Sequence, residues 1–118
     1  SVGSRRLSSE RGAIVEAVNA RQPRPFVFDY EYDAPGHPEQ IYCRSDHYNF
    51  ARYGIPIVFF TSGLHDQYHT PADEITLIDY EKAARVAALV RDIVLDLANR
   101  PTPPAVDRPV PPPGAPCL

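Results

Sequence analysis

The chain has 118 residues, 12 Lys and Arg against 15 Asp and Glu for a net charge of −3, 43% hydrophobic residues, 14 Pro, two Cys and no Trp or Met. That length allows one domain at most; it carries no run of about 18 apolar residues that would span a membrane and no basic cluster that would make nucleic acid the main partner. The opening Ser1-Val2-Gly3-Ser4-Arg5-Arg6 is no signal peptide, and with no initiating Met before a strand-like phrase, the amino-terminal part of a larger domain is expected to be missing from it.

Ser8 or Ser9 is placed to cap a helix through Arg11–Asn19, with Leu7, Ile14, Val15 and Val18 near one face. Gly12 weakens that helix, and Pro23 and Pro25 close off anything beyond it. Phe26–Tyr32 alternates aromatic with other residues at period two, the pattern of a half-buried strand. Asp33-Ala34-Pro35-Gly36-His37-Pro38 is a loop by its turn residues. Ser45–Tyr53 reads as a short helix capped by Ser45 and ended by Gly54. The apolar run Ile55-Pro56-Ile57-Val58-Phe59-Phe60 suits a strand covered on both faces in a parallel sheet. After the polar stretch Thr61–Glu74, Asp79 caps the clearest helix. Tyr80, Ala83, Ala87, Val90, Val94 and Leu97 form its apolar stripe, widened by Val86, Leu89 and Ile93 as if to cover a sheet, and Asn99 and Pro101 end it.

The alternation of helix and strand predicts an α/β layer fold with a mostly parallel sheet. Two segments follow: residues 1–100 as part of a folded domain, and 101–118 as a tail. Eight of the 14 prolines fall between Pro101 and Pro116. Proline lacks an amide hydrogen and fixes φ, so the tail is expected to be polyproline-like or disordered, either solvated or a ligand for an aromatic groove. Two cysteines, Cys43 and Cys117, make no disulfide framework, and Cys43 reads as a packed thiol.

In open α/β sheets, ligands bind beyond the carboxyl ends of the strands. The loop after the 57–60 strand holds His65, Asp66, His69, Asp73 and Glu74. His69 is either a zinc ligand, its second ring nitrogen held by a carboxylate or carbonyl, or, like His65, a solvated loop residue. In Tyr42-Cys43-Arg44-Ser45-Asp46-His47, Asp46 orients an imidazole or merely favours a helix dipole. His47 is a site residue or a structural one, and the Tyr42 phenol is an oxyanion donor or packing. No Gly-x-Ser-x-Gly elbow and no glycine-rich phosphate loop occur.

Taken in order, Tyr42-Cys43-Arg44-Ser45-Asp46-His47-Tyr48-Asn49-Phe50, Gly54-Ile55-Pro56 and Gly63-Leu64-His65-Asp66-Gln67-Tyr68-His69-Thr70-Pro71-Ala72-Asp73 closely resemble the C-terminal part of the di-zinc exopeptidases. That family includes bacterial leucyl aminopeptidase, aminopeptidase S, aminopeptidase Y and glutamate carboxypeptidase II, with glutaminyl cyclase a more distant, single-zinc relative. The resemblance covers about residues 1–100 and leaves out the tail. It implies the C-terminal part of a three-layer fold, a mostly parallel sheet flanked by helices. It also implies two zinc ions and a metal-activated water that hydrolyses a peptide with a free amino terminus. His69 matches a metal ligand and Tyr42 the tyrosine that stabilises the oxyanion; Asp46, His47 and Asp73 match residues that support the site. The family's remaining ligands and its Glu-Glu pair have no counterpart here, so the chain alone is expected to be inactive. A non-catalytic binding domain and a glutaminyl-cyclase-like acyltransferase are the alternatives. Relatives of this type are often exported, which implies an extracytoplasmic location.

Overall fold

Among the residues described by the computed structural model, 1–112 and 115–117, the regular elements are α1 (Ser9–Ala20), α2 (His47–Ala51), α3 (Tyr80–Ala98) and three single 3₁₀ turns. Pro113, Gly114 and Leu118, which belong to the expected tail, lie outside the described residues. The Ser8 side chain caps α1 by accepting the Arg11 N–H at 3.1 Å, as its place ahead of the first helical turn predicts. Gly12 leaves room for the Arg5 side chain, because a Cβ there would come within 2.6 Å of Arg5 Cγ and force it to shift. Asp79 caps α3 by accepting the Lys82 N–H at 2.9 Å. The short helix starts two residues later than expected: α2 follows Asp46, whose side chain makes no capping bond, and Ser45 contributes only its carbonyl, to Tyr48 N–H.

The expected parallel sheet is absent from the described residues, which form a small helical globule with no strand ladder. Its physical cause lies in where the backbone groups of the two apolar runs find partners. Asn19, buried near the end of α1, uses both ends of its amide on Phe26: its Nδ2 donates to Phe26 O at 2.7 Å and its Oδ1 accepts Phe26 N–H at 2.9 Å. A side chain thus occupies the positions of a neighbouring strand. Farther on, the amino terminus of Ser1 donates to Asp29 O at 2.7 Å, and Glu31–Asp33 curls into a 3₁₀ turn. The second run makes one antiparallel bridge, Val2 to Phe59, with both N–H···O bonds at 2.9 Å.

Two apolar clusters hold the chain together. Ile14, Val15 and Val18 of α1 meet Leu89 and Ile93 of α3, with Phe26, Phe28, Val58, Phe60 and Leu97 packed at the edges. Val2, Leu7, Ile41, Tyr42, Ala51 and Ile57 form the other. The buried side of α3 therefore follows Leu89, Ile93 and Leu97, whereas Tyr80, Ala83, Ala87, Val90 and Val94 face outward. The stripe read from the sequence was drawn for a helix lying on a broad sheet. With α1 and the side chains of Phe26, Phe28, Val58 and Phe60 to pack against in place of a sheet, a narrower line suffices; it runs along Leu89 and Ile93 from the stripe's margin and Leu97 from the stripe itself.

The segment from Pro101 onward has no regular element among its described residues, yet it is anchored. Ala105 N–H donates to Glu10 at 3.0 Å, and the N–H groups of Asp107 and Arg108 donate to Leu7 O at 3.2 and 3.3 Å. The Asp107 carboxylate accepts from the Ser9 N–H at 2.8 Å and from the Ser9 hydroxyl, placing a negative charge at the start of α1. Cys43 and Cys117 are joined in a disulfide across 74 residues, so Cys43 is not the packed thiol expected. Two cysteines allow only this one pairing, but nothing local in the sequence shows that residues so far apart meet. Closing a loop of that size in the unfolded chain contributes about 4 kcal/mol in the chain-entropy picture.

These contacts assign different costs to neighbouring residues. Leu89→Ala, at a fully buried position, should lower stability by about 2–4 kcal/mol, whereas Val94→Ala, at 56% exposure, should cost under about 0.5 kcal/mol. Asn19→Ala should cost about 2 kcal/mol, because it leaves the Phe26 N–H and C=O without their partner. Urea denaturation of the three variants checks the ranking; an equal loss at positions 89 and 94 would refute the assigned face of α3.

Candidate functional site

The sequence-selected residues fall into two groups. The first surrounds Tyr42, which lies in a 3₁₀ turn (Ile41–Cys43) and is 5% exposed. Tyr42 O faces His47 Nε2 at 2.8 Å, and a ring nitrogen paired with a carbonyl must carry the proton. His47 in turn stacks on Phe59, ring centroids 4.6 Å apart, next to the Val2–Phe59 bridge. The Tyr42 ring packs edge-on against Tyr48 and lies beneath the Arg6 guanidinium, 4.2 Å from the ring centre. Asp46 is exposed at the start of α2. The imidazole of His47 is therefore oriented by a backbone carbonyl, and Asp46 is not its hydrogen-bond partner.

Arg6 and Asp33 belong to this group, although neither stood out in the sequence. Asp33 Oδ1 accepts from Arg6 Nε at 2.8 Å and from the Gly3 N–H at 2.9 Å, while Asp33 O accepts from Arg6 Nη2 at 2.7 Å. This largely buried ion pair fixes the guanidinium over Tyr42. Its sequence signal was slight: Arg6 follows another arginine, and Asp33 opens a Pro-Gly loop that invites a reading as turn chemistry only. Burial pushes the Tyr42 phenol above its ordinary range, while the Arg6 charge acts downward and Asp33 upward. Tyr42 also lines a cavity of about 10 Å³ with Arg6, Tyr32, Ala34, Gly36, His37, Gln40 and Cys117, space for a single water.

The second group is the exposed loop 61–74. Thr70 shapes it: its hydroxyl donates to Gln67 O at 2.8 Å and accepts from the Ala72 N–H at 3.3 Å. His69 sits at φ +60, in the left-handed region, with its ring against Tyr68 at 3.9 Å between centroids. Asp73 Oδ2 faces His65 Nε2 at 4.0 Å, both side chains well exposed, and its N–H donates to Thr70 O. At that exposure such a pair is worth under about 1 kcal/mol. Among the described residues, no hydrogen bond, ion pair or ring contact joins this loop to His47 or Tyr42.

A zinc site needs about three or four protein ligands converging on one point. Among the described residues, no three His, Cys, Asp or Glu side chains come together in that way. The described donors therefore do not by themselves close a zinc site. No helix among the described residues is long and apolar enough to cross a membrane.

The model of Peptidase family M28 matches residues 6–94, most of the chain, and the protein belongs to that family. The match includes Arg6, Asp33, Tyr42, Asp46, His47, His69 and Asp73. No curated protein and no solved structure matches the chain.

The raised tyrosines set a pH dependence. Burial, followed by the hydrogen bond to Glu16, also raises Tyr30. A phenol whose folded-state pKa lies above its unfolded value stays protonated longer in the folded chain. Its contribution to stability is complete below about pH 10 and is lost as pH rises through the folded value. The urea midpoint should therefore fall above about pH 10, and Tyr42→Phe and Tyr30→Phe should each make the decline shallower. A decline of unchanged steepness in both variants would remove the phenols as its source.

Proposed function

We propose that the chain forms part of a zinc-dependent exopeptidase of the aminopeptidase type, close to the leucyl aminopeptidase, aminopeptidase S and aminopeptidase Y branch. Its substrate is a peptide with a free amino terminus. The carrying observation is the family match over residues 6–94, which spans every residue selected for the site. In this reading His69 supplies one metal ligand, and the other ligands and the general base come from outside residues 1–118. Tyr42, kept protonated by burial, donates its phenol to the oxyanion of the tetrahedral intermediate. His47 and Asp73 act on position: His47 holds the Tyr42 carbonyl and Asp73 stands beside His65, while Asp46 lies at the entrance to α2. An extracytoplasmic location is part of the proposal and is supported by the Cys43–Cys117 disulfide, since such bonds persist in oxidising compartments.

Zinc titration of the 118-residue chain should give less than one tightly held ion and no turnover of an aminoacyl p-nitroanilide. Two tightly held ions would overturn the claim that the remaining ligands lie elsewhere. In the natural gene product, His69→Ala should abolish hydrolysis and lower zinc content, and Tyr42→Phe should reduce kcat roughly a hundred- to a thousandfold with zinc retained. Unchanged turnover in His69→Ala would remove it from the site. A second reading, a non-catalytic peptidase-like binding domain, is favoured by the deep burial of Tyr42 and by the scattered donors. It predicts no turnover and no zinc in the natural product, while a glutaminyl-cyclase-like acyltransferase predicts one zinc and no peptide release.

A further inference from the structure

The described residues after α3 are proline-rich and form no regular element, yet beyond the Ala105 N–H bond to Glu10 they are fastened at three successive places. Asp107 and Arg108 bond to Leu7 O, and the Asp107 carboxylate binds the first turn of α1 at Ser9. Val110 stands over Gly54, where a Cβ would come within 3.2 Å of Val110 Cγ2; Gly54 is at φ +79, so both space and backbone favour glycine there. Cys117 is covalently joined to Cys43, the residue after Tyr42, and forms part of the wall of the Tyr42 cavity.

The first two fastenings are weak. The Asp107 and Ser9 groups are exposed, and a few exposed hydrogen bonds cannot by themselves hold a segment of this length against its conformational entropy. Proline residues reduce that entropy without supplying donors. The covalent link is what converts these contacts into a persistent arrangement, because it keeps the far end of the segment at a high effective concentration. Both cysteines are only partly buried.

We propose that the segment after Pro101 is a redox-released strap, fastened by the Cys43–Cys117 disulfide across the start of α1 and the wall beside Tyr42. A small dithiol reductant opens it in two steps. Its thiolate attacks one cysteine sulfur, the S–S bond breaks and the electron pair leaves on the other sulfur. The reductant's second thiol then displaces the first cysteine and closes its own disulfide, so that Cys43 and Cys117 gain two electrons and two protons in total. With the strap released, the Tyr42 cavity loses the wall that Cys117 provides, and the Ser9 end of α1 loses its charged partner.

The test uses the full chain purified without reductant, compared before and after treatment with a dithiol. Before treatment, intact mass and alkylation should show no free thiol and no linked dimer. After it, two alkylations per chain should appear. Amide exchange at Ser9, Asp107 and Arg108 should then accelerate at least tenfold, and nitration of Tyr42 should rise. The Cys43→Ser/Cys117→Ser double variant should match the reduced protein without treatment, and far-UV dichroism should show that its helices persist. Asp107→Ala in the oxidised chain should accelerate exchange at Ser9 while leaving Tyr42 nitration low. Free thiols in the untreated chain would overturn the proposal, as would disulfide-linked dimers. So would exchange and nitration that do not change on reduction.

Discussion

Extended backbone that joins no sheet must still find partners for its N–H and C=O groups, and that requirement shapes this molecule. Asn19 meets it for Phe26, the amino terminus of Ser1 meets it for Asp29, and Val2 meets it for Phe59. Each solution ties a different part of the chain back to its first twenty residues. As a result α1 becomes the common support: one face packs on α3, its last turn holds the aromatic run, and its first turn receives the segment that follows α3.

Tyr42 owes its environment to the same economy of partners. The turn that carries it has little regular structure, so its position depends on side chains arriving from distant parts of the sequence. Asp33 gathers the Gly3 N–H and the Arg6 guanidinium, Arg6 covers the ring, and His47 takes the carbonyl. The loop bearing His65, His69 and Asp73 is organised differently, by short-range turns around Thr70, and remains open to solvent. The tyrosine is thus buried among long-range contacts, while the histidine loop is exposed.

The caps of the two long helices were legible in the sequence because they are local: Ser8 and Asp79 serve backbone within a turn of themselves and α3 stops at Asn99, whereas Ser45 does not cap the short helix α2. The phrases His65 to Asp73 and Tyr42 to His47 are likewise short and ordered, and both lie within the residues that the family model matches. The sheet was the misreading. Alternation over Phe26–Tyr32 and the run Ile55–Phe60 show that those residues prefer extended backbone, but not whether a neighbour will be there to pair with them. The face of α3 shifted for the same cause, being a property of its partner. Arg6–Asp33 was beyond reach because it joins residues far apart with nothing local to announce them, and for Cys43–Cys117 the one possible pairing was plain but not that the two meet.

The disulfide also divides the covalent map of the protein. Residues 43–117 form a closed ring that includes α2, the histidine loop and α3, while α1 stands outside on a linear branch. A single cut in the exposed loop 61–74 opens the ring without separating the pieces, so His69 and Tyr42 stay in one molecule even when they lie on opposite sides of the break. A cut between α1 and Tyr42 has no such safeguard, and detaches the helix on which the rest is built.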